Sequence, residues 1–184
     1  VPTCHVFIAA SLDGYIARPG GDLDWLDGWP AVGHDYGYGD FIASVDGVVM
    51  GRGTFEKVLT FPEWPYAKPV VVLSRSLRQG DLRADLAAKV RISAAGPGEI
   101  VADLDREGWK RACVDGGSVI QAFLREGLVA DMVVTRIPIL LGGGLPLFGP
   151  LHSDVRLTHL RTAGYASGFV QSHYAVDRGQ ALRA

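Results

Sequence analysis

Three stretches of the chain place glycine, arginine and hydroxyl residues just after apolar runs, a combination suited to holding phosphate. In the first, Val48-Val49-Met50 leads into Gly51-Arg52-Gly53-Thr54. Glycine lets the backbone turn tightly, a following helix would point free N–H groups at an anion, and Arg52 adds a fixed cation. A helix capped by Thr54 beside a solvated Arg52 accounts for the same residues. In the second, Val70-Val71-Val72-Leu73 ends in Ser74-Arg75-Ser76. Arg75 suits the charge of a sugar phosphate and Ser74 its hydrogen bonds; an ordinary polar turn is the other reading. In the third, Cys113-Val114 leads into Asp115-Gly116-Gly117-Ser118-Val119-Ile120. A Gly-Gly pair between strand and helix allows a pyrophosphate to approach the main chain closely. Asp115 could accept N–H groups from a heterocycle or cap the next helix.

The elements that must carry these stretches are legible from apolar runs and turn residues. Strands are expected over residues 5–10, 47–50, 69–73, 90–93, 111–114 and 132–138. The run at 69–73 does not alternate in polarity, as in a strand covered on both faces. Helices are expected over 35–44, 54–59, 82–89, 99–107 and 119–126. Residues 155–163 and 169–176, joined by 164–168, read as an antiparallel pair. Residues 24–33, with Trp25, Trp29 and Pro30, read as a surface loop, and Gly142–Gly144 as another loop. Strands alternating with helices imply an α/β fold, a mostly parallel central sheet with helices on both faces. The closing pair adds an antiparallel hairpin. Ligands of such sheets sit at the carboxyl ends of the strands, where these glycine turns fall.

Composition narrows the function. With 184 residues the chain suits one domain, 1–184. A net charge of −2 offers no basic field for nucleic acid or an anionic membrane, and no apolar run spans a bilayer. Cys4 and Cys113 form no Cys-x-x-Cys pair and are expected as buried, reduced thiols of a cytoplasmic protein. His34, His152, His159 and His173 share no ligand spacing and read as surface or loop residues; no metal site is expected.

In their order, these stretches resemble the dihydrofolate reductase family. Ile8-Ala9-Ala10 matches the family's opening strand and Trp25 the tryptophan of the loop after it. Met50-Gly51-Arg52-Gly53-Thr54 matches Met-Gly-Arg-x-Thr, and Leu73-Ser74 the end of a later strand. Gly116-Gly117 with Phe123-Leu124 matches the Gly-Gly helix, and Thr135 a threonine of the next strand. The resemblance spans residues 5–176. Ser11-Leu12-Asp13-Gly14, the acid before Gly-Gly, and Leu140-Leu141-Gly142-Gly143-Gly144 look closer to the branch that holds the riboflavin-pathway reductase domain. The zinc deaminase signature that often accompanies that domain is absent.

The resemblance implies a three-layer fold and NADPH as cofactor. It puts Ala10 and Ile16 beside the nicotinamide. Gly51, Arg52, Thr54, Leu73, Ser74 and Arg75 would meet the adenosine phosphates, and Gly116, Gly117, Ser118, Val119 and Ile120 the pyrophosphate. Two arginines near one ribose favour NADPH over NADH. Asp35 stands 17 residues before Arg52, the family's usual separation for its catalytic acid. Half-buried against Thr135, it would hydrogen-bond a heterocycle and pass a proton; a helix N-cap is its other reading. Asp13, Trp25, Asp115 and Thr135 fall on the substrate side, although Asp13 could instead organise the turn at Gly14. The expected partner is a small pteridine- or pyrimidine-like heterocycle, and a homodimer is expected by analogy with the branch. Reduction of a ribosylaminopyrimidine, or cofactor and folate binding without turnover, are the other functional readings.

Overall fold

The structure, a computed structural model, describes residues 1–29 and 35–177. Pro30 and His34 of the sequence reading lie outside them, as do residues 31–33 of the expected loop. Six parallel strands form most of an eight-stranded sheet: β1 (Thr3–Ser11), β3 (Gly47–Gly51), β4 (Val70–Leu73), β5 (Val90–Ser93), β6 (Arg111–Asp115) and β7 (Val129–Ile137). The antiparallel hairpin β9 (Leu157–Gly164) and β10 (Val170–Val176) completes the order β5-β4-β3-β6-β1-β7-β10-β9. A small antiparallel ladder joins β2 (Tyr15–Ala17) to β8 (Leu145–Pro146).

Neighbouring residues of the central strands feed opposite cores. On β3, Val48 and Met50 pack with Phe55 of α2 (Arg52–Val58) and with Phe41 and Ile42 of α1 (Tyr38–Ser44). Val49 faces the other way, onto α3 (Pro97–Arg106) and α4 (Gly117–Arg125). Strands apolar on both faces therefore carry no alternation, as their sequence shows. A third apolar cluster of Trp25, Ile137 and Phe169 closes the carboxyl end of β7. The fold is the expected α/β arrangement, with helices on both faces and a closing hairpin.

Several local expectations change. Residues 82–89 hold no helix: Leu82 is extended (ψ 141°) after a 3-10 turn at Gln79–Asp81, and turns follow. Leu86 alone of that stretch is fully buried, so a single anchor replaces an amphipathic face. Trp25 is no surface residue but 3% exposed in the third cluster. Helix α1 starts at Tyr38, and its N-cap is Gly37 in the left-handed region (φ 83°) rather than Asp35. Thr54 does not cap α2, because the helix already starts at Arg52. No helix among the described residues is long and apolar enough to cross a membrane.

Candidate functional site

The carboxyl ends of β3, β6 and the β2–β8 ladder meet so closely that only glycine fits between them. A Cβ on Gly116 (φ 89°) would lie 2.3 Å from Thr54 Oγ1. One on Gly117 would lie 2.7 Å from the Pro146 carbonyl oxygen and 3.1 Å from Ile16 Cδ1. One on Gly51 would meet Val119 Cγ2 at 3.0 Å and Ser118 Oγ at 3.6 Å. Gly51, Thr54, Gly116, Gly117, Ser118, Val119 and Ile16, expected from sequence at one ligand, thus lie against one another, and the place where they meet is termed the groove. The first N–H groups of α4 have no intrahelical acceptor and border it. Ile120 contributes neither group: its side chain is fully buried and its N–H bonds the Gly116 carbonyl at 2.9 Å. Ala10, 2% exposed, belongs to the core through its methyl group and can meet a ligand only through main chain.

The arginine end of the groove is assembled across two strand tips. Leu73 pairs in register with Gly51, which brings Ser74–Ser76 beside Arg52. Arg52 donates from Nη1 to Ser76 Oγ (2.8 Å) and from Nε to Glu56 Oε1 (2.6 Å). Ser74 Oγ accepts the N–H groups of Ser76 and Leu77 at 3.2 and 3.0 Å, shaping the turn that exposes Arg75. Ser76 was legible beside Arg75 but was not singled out. Such a set of exposed guanidinium and hydroxyl groups suits a phosphate monoester.

The acids divide by role. Asp115 ends β6 half-buried, with Oδ1 accepting the N–H of Gly116 at 2.8 Å. It makes no capping bond to α4, so the capping alternative drops out. Burial pushes its carboxyl above the usual aspartate range. The same end of the sheet holds Tyr38, raised to about 12 by burial and by the fields of Cys113 and Asp115, and Tyr66, raised further by the same causes. These groups therefore keep their protons at neutral pH or are biased towards doing so.

Asp13 spends both carboxylate oxygens on neighbouring loops. Ser11 Oγ donates to it at 2.6 Å, and the Leu141 and Gly142 N–H groups at 3.1 and 2.8 Å. Those bonds, the Ser11 hydroxyl foremost, hold its carboxyl below the usual range. It organises loops, as one of its two readings had it. Asp35 is exposed rather than half-buried against Thr135, and accepts the N–H groups of Gly37 and Gly39 at 2.9 and 2.8 Å. Between Asp35 and Thr135 comes a residue missed from sequence, Gln171. Its Nε2 donates to Thr135 Oγ1 and to the Tyr36 carbonyl, both at 3.0 Å. Trp25, buried in the third cluster, has no face for a substrate. His173, expected at the surface, is half-buried with Nε2 3.5 Å from Asp131 Oδ1.

Comparison with known proteins bears on the whole of this architecture. The profile of the RibD C-terminal domain matches residues 2–170. A Shewanella sp. PV-4 protein assigned provisionally to riboflavin biosynthesis is 42% identical. Its crystal structure superposes with a TM-score of 0.90 over 96% of this chain and 99% of that one. The Thermotoga maritima diaminohydroxyphosphoribosylaminopyrimidine deaminase/5-amino-6-(5-phosphoribosylamino)uracil reductase is 16% identical, with a TM-score of 0.74 over 96% of this chain and 57% of its own. Dihydrofolate reductase from Enterococcus faecalis, complexed with NADP(H), is 18% identical. It superposes with a TM-score of 0.64 over 95% of this chain and 96% of that one, so the fold is shared with that enzyme.

Proposed function

The chain belongs to the RibD C-terminal domain family, and on that premise we propose that it is an NADPH-dependent reductase of a pyrimidine-type heterocycle. NADPH, when bound, supplies the hydride; the chain's own residues bind, orient and manage the proton. Gly51, Thr54 and Gly116 to Val119 would cradle the pyrophosphate, with Arg52, Ser74, Arg75 and Ser76 on the ribose phosphate. Ile16 and the main chain at Ala10 would border the nicotinamide. Asp115, biased towards its protonated form by burial, would hydrogen-bond the heterocycle and offer it a proton.

The observation that carries this reading is the close approach at Gly116 and Gly117, beside an Arg52–Ser76 pair formed across two strand tips. Glycine at both positions lets the β6–α4 turn sit against Thr54 and Pro146, and the first N–H groups of α4 beside that turn would serve the phosphates. The test follows NADPH and NADH oxidation with a panel of pyrimidinediones and pteridines. Turnover of a pyrimidinedione with a preference for NADPH is expected. Arg52→Ala should weaken NADPH binding by about 1.5–3 kcal/mol, roughly 10- to 100-fold in Kd. Equal use of the two cofactors, or unchanged affinity in Arg52→Ala, counts against the assignment of the arginine end. NADPH binding with no turnover on any of the compounds leaves only a binding protein.

A further inference from the structure

β1 and β6 pair only as far as His5 and Cys113, although β6 runs on to Asp115 and β1 to Ser11. Beyond that point β6 keeps its ladder with β3, and β1 its ladder with β7. The chain leaves β1 for β3 on one side and leaves β6 for β7 on the other. Open α/β sheets take ligands where their order reverses in this way. Side chains alternate across a strand, so Phe7 and Asp115 share the face of the paired His5 and Cys113. That face carries α1 and α2, since Cys113 packs in their cluster.

Two tyrosines flank the Asp115 carboxyl on this face. Tyr38, the first residue of α1, leans on Phe7 of β1, with ring centroids 5.6 Å apart. Tyr66 packs on the β3 side, in the cluster of Val48 and Met50, its ring 5.4 Å from that of Trp64. β6 lies between those two strands. The Asp115 charge acts on both phenols, and that of Tyr38 on Tyr66, so the three groups lie together. Neither phenol hydroxyl has a hydrogen-bond partner among the described residues, and of the Asp115 oxygens only Oδ1 has one. Partly buried polar groups are normally paired, and three left open side by side mark a place for the polar edge of a ligand. Tyr38 is 39% exposed, which leaves that place accessible.

The order of the three groups decides which edge fits. Burial keeps both phenols protonated at neutral pH, so each has a proton to donate. Asp115 Oδ2 can accept in either protonation state. Donor, acceptor, donor is the complement of an edge that reads carbonyl, N–H, carbonyl. We propose that Tyr38 and Tyr66 set the substrate preference of this site by donating to the two carbonyl oxygens of a cyclic imide, the edge of a pyrimidine-2,4-dione, with Asp115 on the N–H between them. The inference rests on the reductase reading above and names the residues that read its heterocycle. A 2-amino-4-oxo ring, as in a pterin, sets a donor against one of these phenols.

A diaminopyrimidine-2,4-dione and two analogues, one lacking the 2-oxo and one the 4-oxo oxygen, provide the test. Their Kd values are measured by calorimetry in the presence of NADP+, on the wild type, Tyr38→Phe and Tyr66→Phe, with circular dichroism as the check on folding. The wild type should bind the dione more tightly than either analogue. Each variant should weaken the dione about 3- to 10-fold and leave NADPH affinity unchanged. Each should also spare the analogue that lacks its own carbonyl partner, a different one for each tyrosine. Unchanged dione affinity in either variant overturns the inference, as does an equal loss for the dione and both analogues, or no binding of the dione. If the pattern holds but NADPH oxidation shows no turnover, the recognition stands and the reductase reading falls. Turnover of the dione with a KM that neither variant moves leaves the reductase reading and removes the tyrosines.

Discussion

Asp115 and Asp131 lie at opposite ends of the parallel strands and are pulled in opposite directions. Asp115 closes β6 in surroundings that favour its neutral form. For Asp131, near the start of β7, burial is the largest single influence, and it is overcome only in combination, beginning with His5, which donates to Oδ2 at 2.7 Å. The positive fields of His5, His173 and Arg111 add to that, and its carboxyl falls below the usual range. A carboxyl whose folded-state pKa is lowered stabilises the fold fully above its unfolded value, about 3.9, and loses that contribution as pH falls through the folded value. Asp131→Asn should therefore be less stable than wild type near neutral pH and show a flatter acid limb. Urea midpoints between about pH 6 and pH 3 measure this; curves that run parallel would remove Asp131 from the acid response. Groups that act through their immediate neighbours were legible in the sequence, as with Gly116-Gly117, Arg52 and Ser74. Gln171 was not, because its partner Tyr36 is 135 residues away and nothing local marks a buried glutamine as a tie. The burial expected for Asp35 against Thr135 failed for the same reason: its spacing to Arg52 carries no information about the far hairpin.

Elements with strong punctuation were legible almost to the residue, and β5 matches its expected span. The failure at residues 82–89 has a cause in the edge that this stretch covers. β5 pairs with β4 on one side only, and Gln79 covers the other. The Gln79 side chain donates to the Val90 carbonyl at 2.8 Å and accepts the Ile92 N–H at 2.9 Å, as a neighbouring strand would. A chain that must hold its side-chain amide against an edge is set by that contact and not by helical periodicity. Gln79→Ala should cost about 1–2 kcal/mol in urea denaturation. It should also increase concentration-dependent association, since a bare edge is a template for pairing. An unchanged midpoint would show that water replaces the amide without loss.

At the scale of the whole molecule, the described residues form three apolar clusters, each with a tryptophan: Trp109 in the first, Trp64 at the border of the second and Trp25 in the third. The sheet lies between the first two, and residues adjacent on β3 and β4 anchor both, so loosening one core should loosen the other. Unfolding is accordingly expected as one transition, in keeping with a single domain. Variants that retain one tryptophan each, the rest replaced by Phe, should share a midpoint by fluorescence and by far-UV circular dichroism. Midpoints that separate would divide the chain into independent units. This layering was legible from the alternation of strands and helices. The third cluster was not, because Trp25 meets Ile137 and Phe169 from far away in the sequence.

The turn after β1 is laced to the segment that follows β7. Asp13 holds the Leu141 and Gly142 amides, Leu12 donates its N–H to the Ile139 carbonyl, and Leu147 donates to the Gly14 carbonyl. Segments more than a hundred residues apart thus form a single rim. A displacement of either segment would have to carry the other with it or break these bonds.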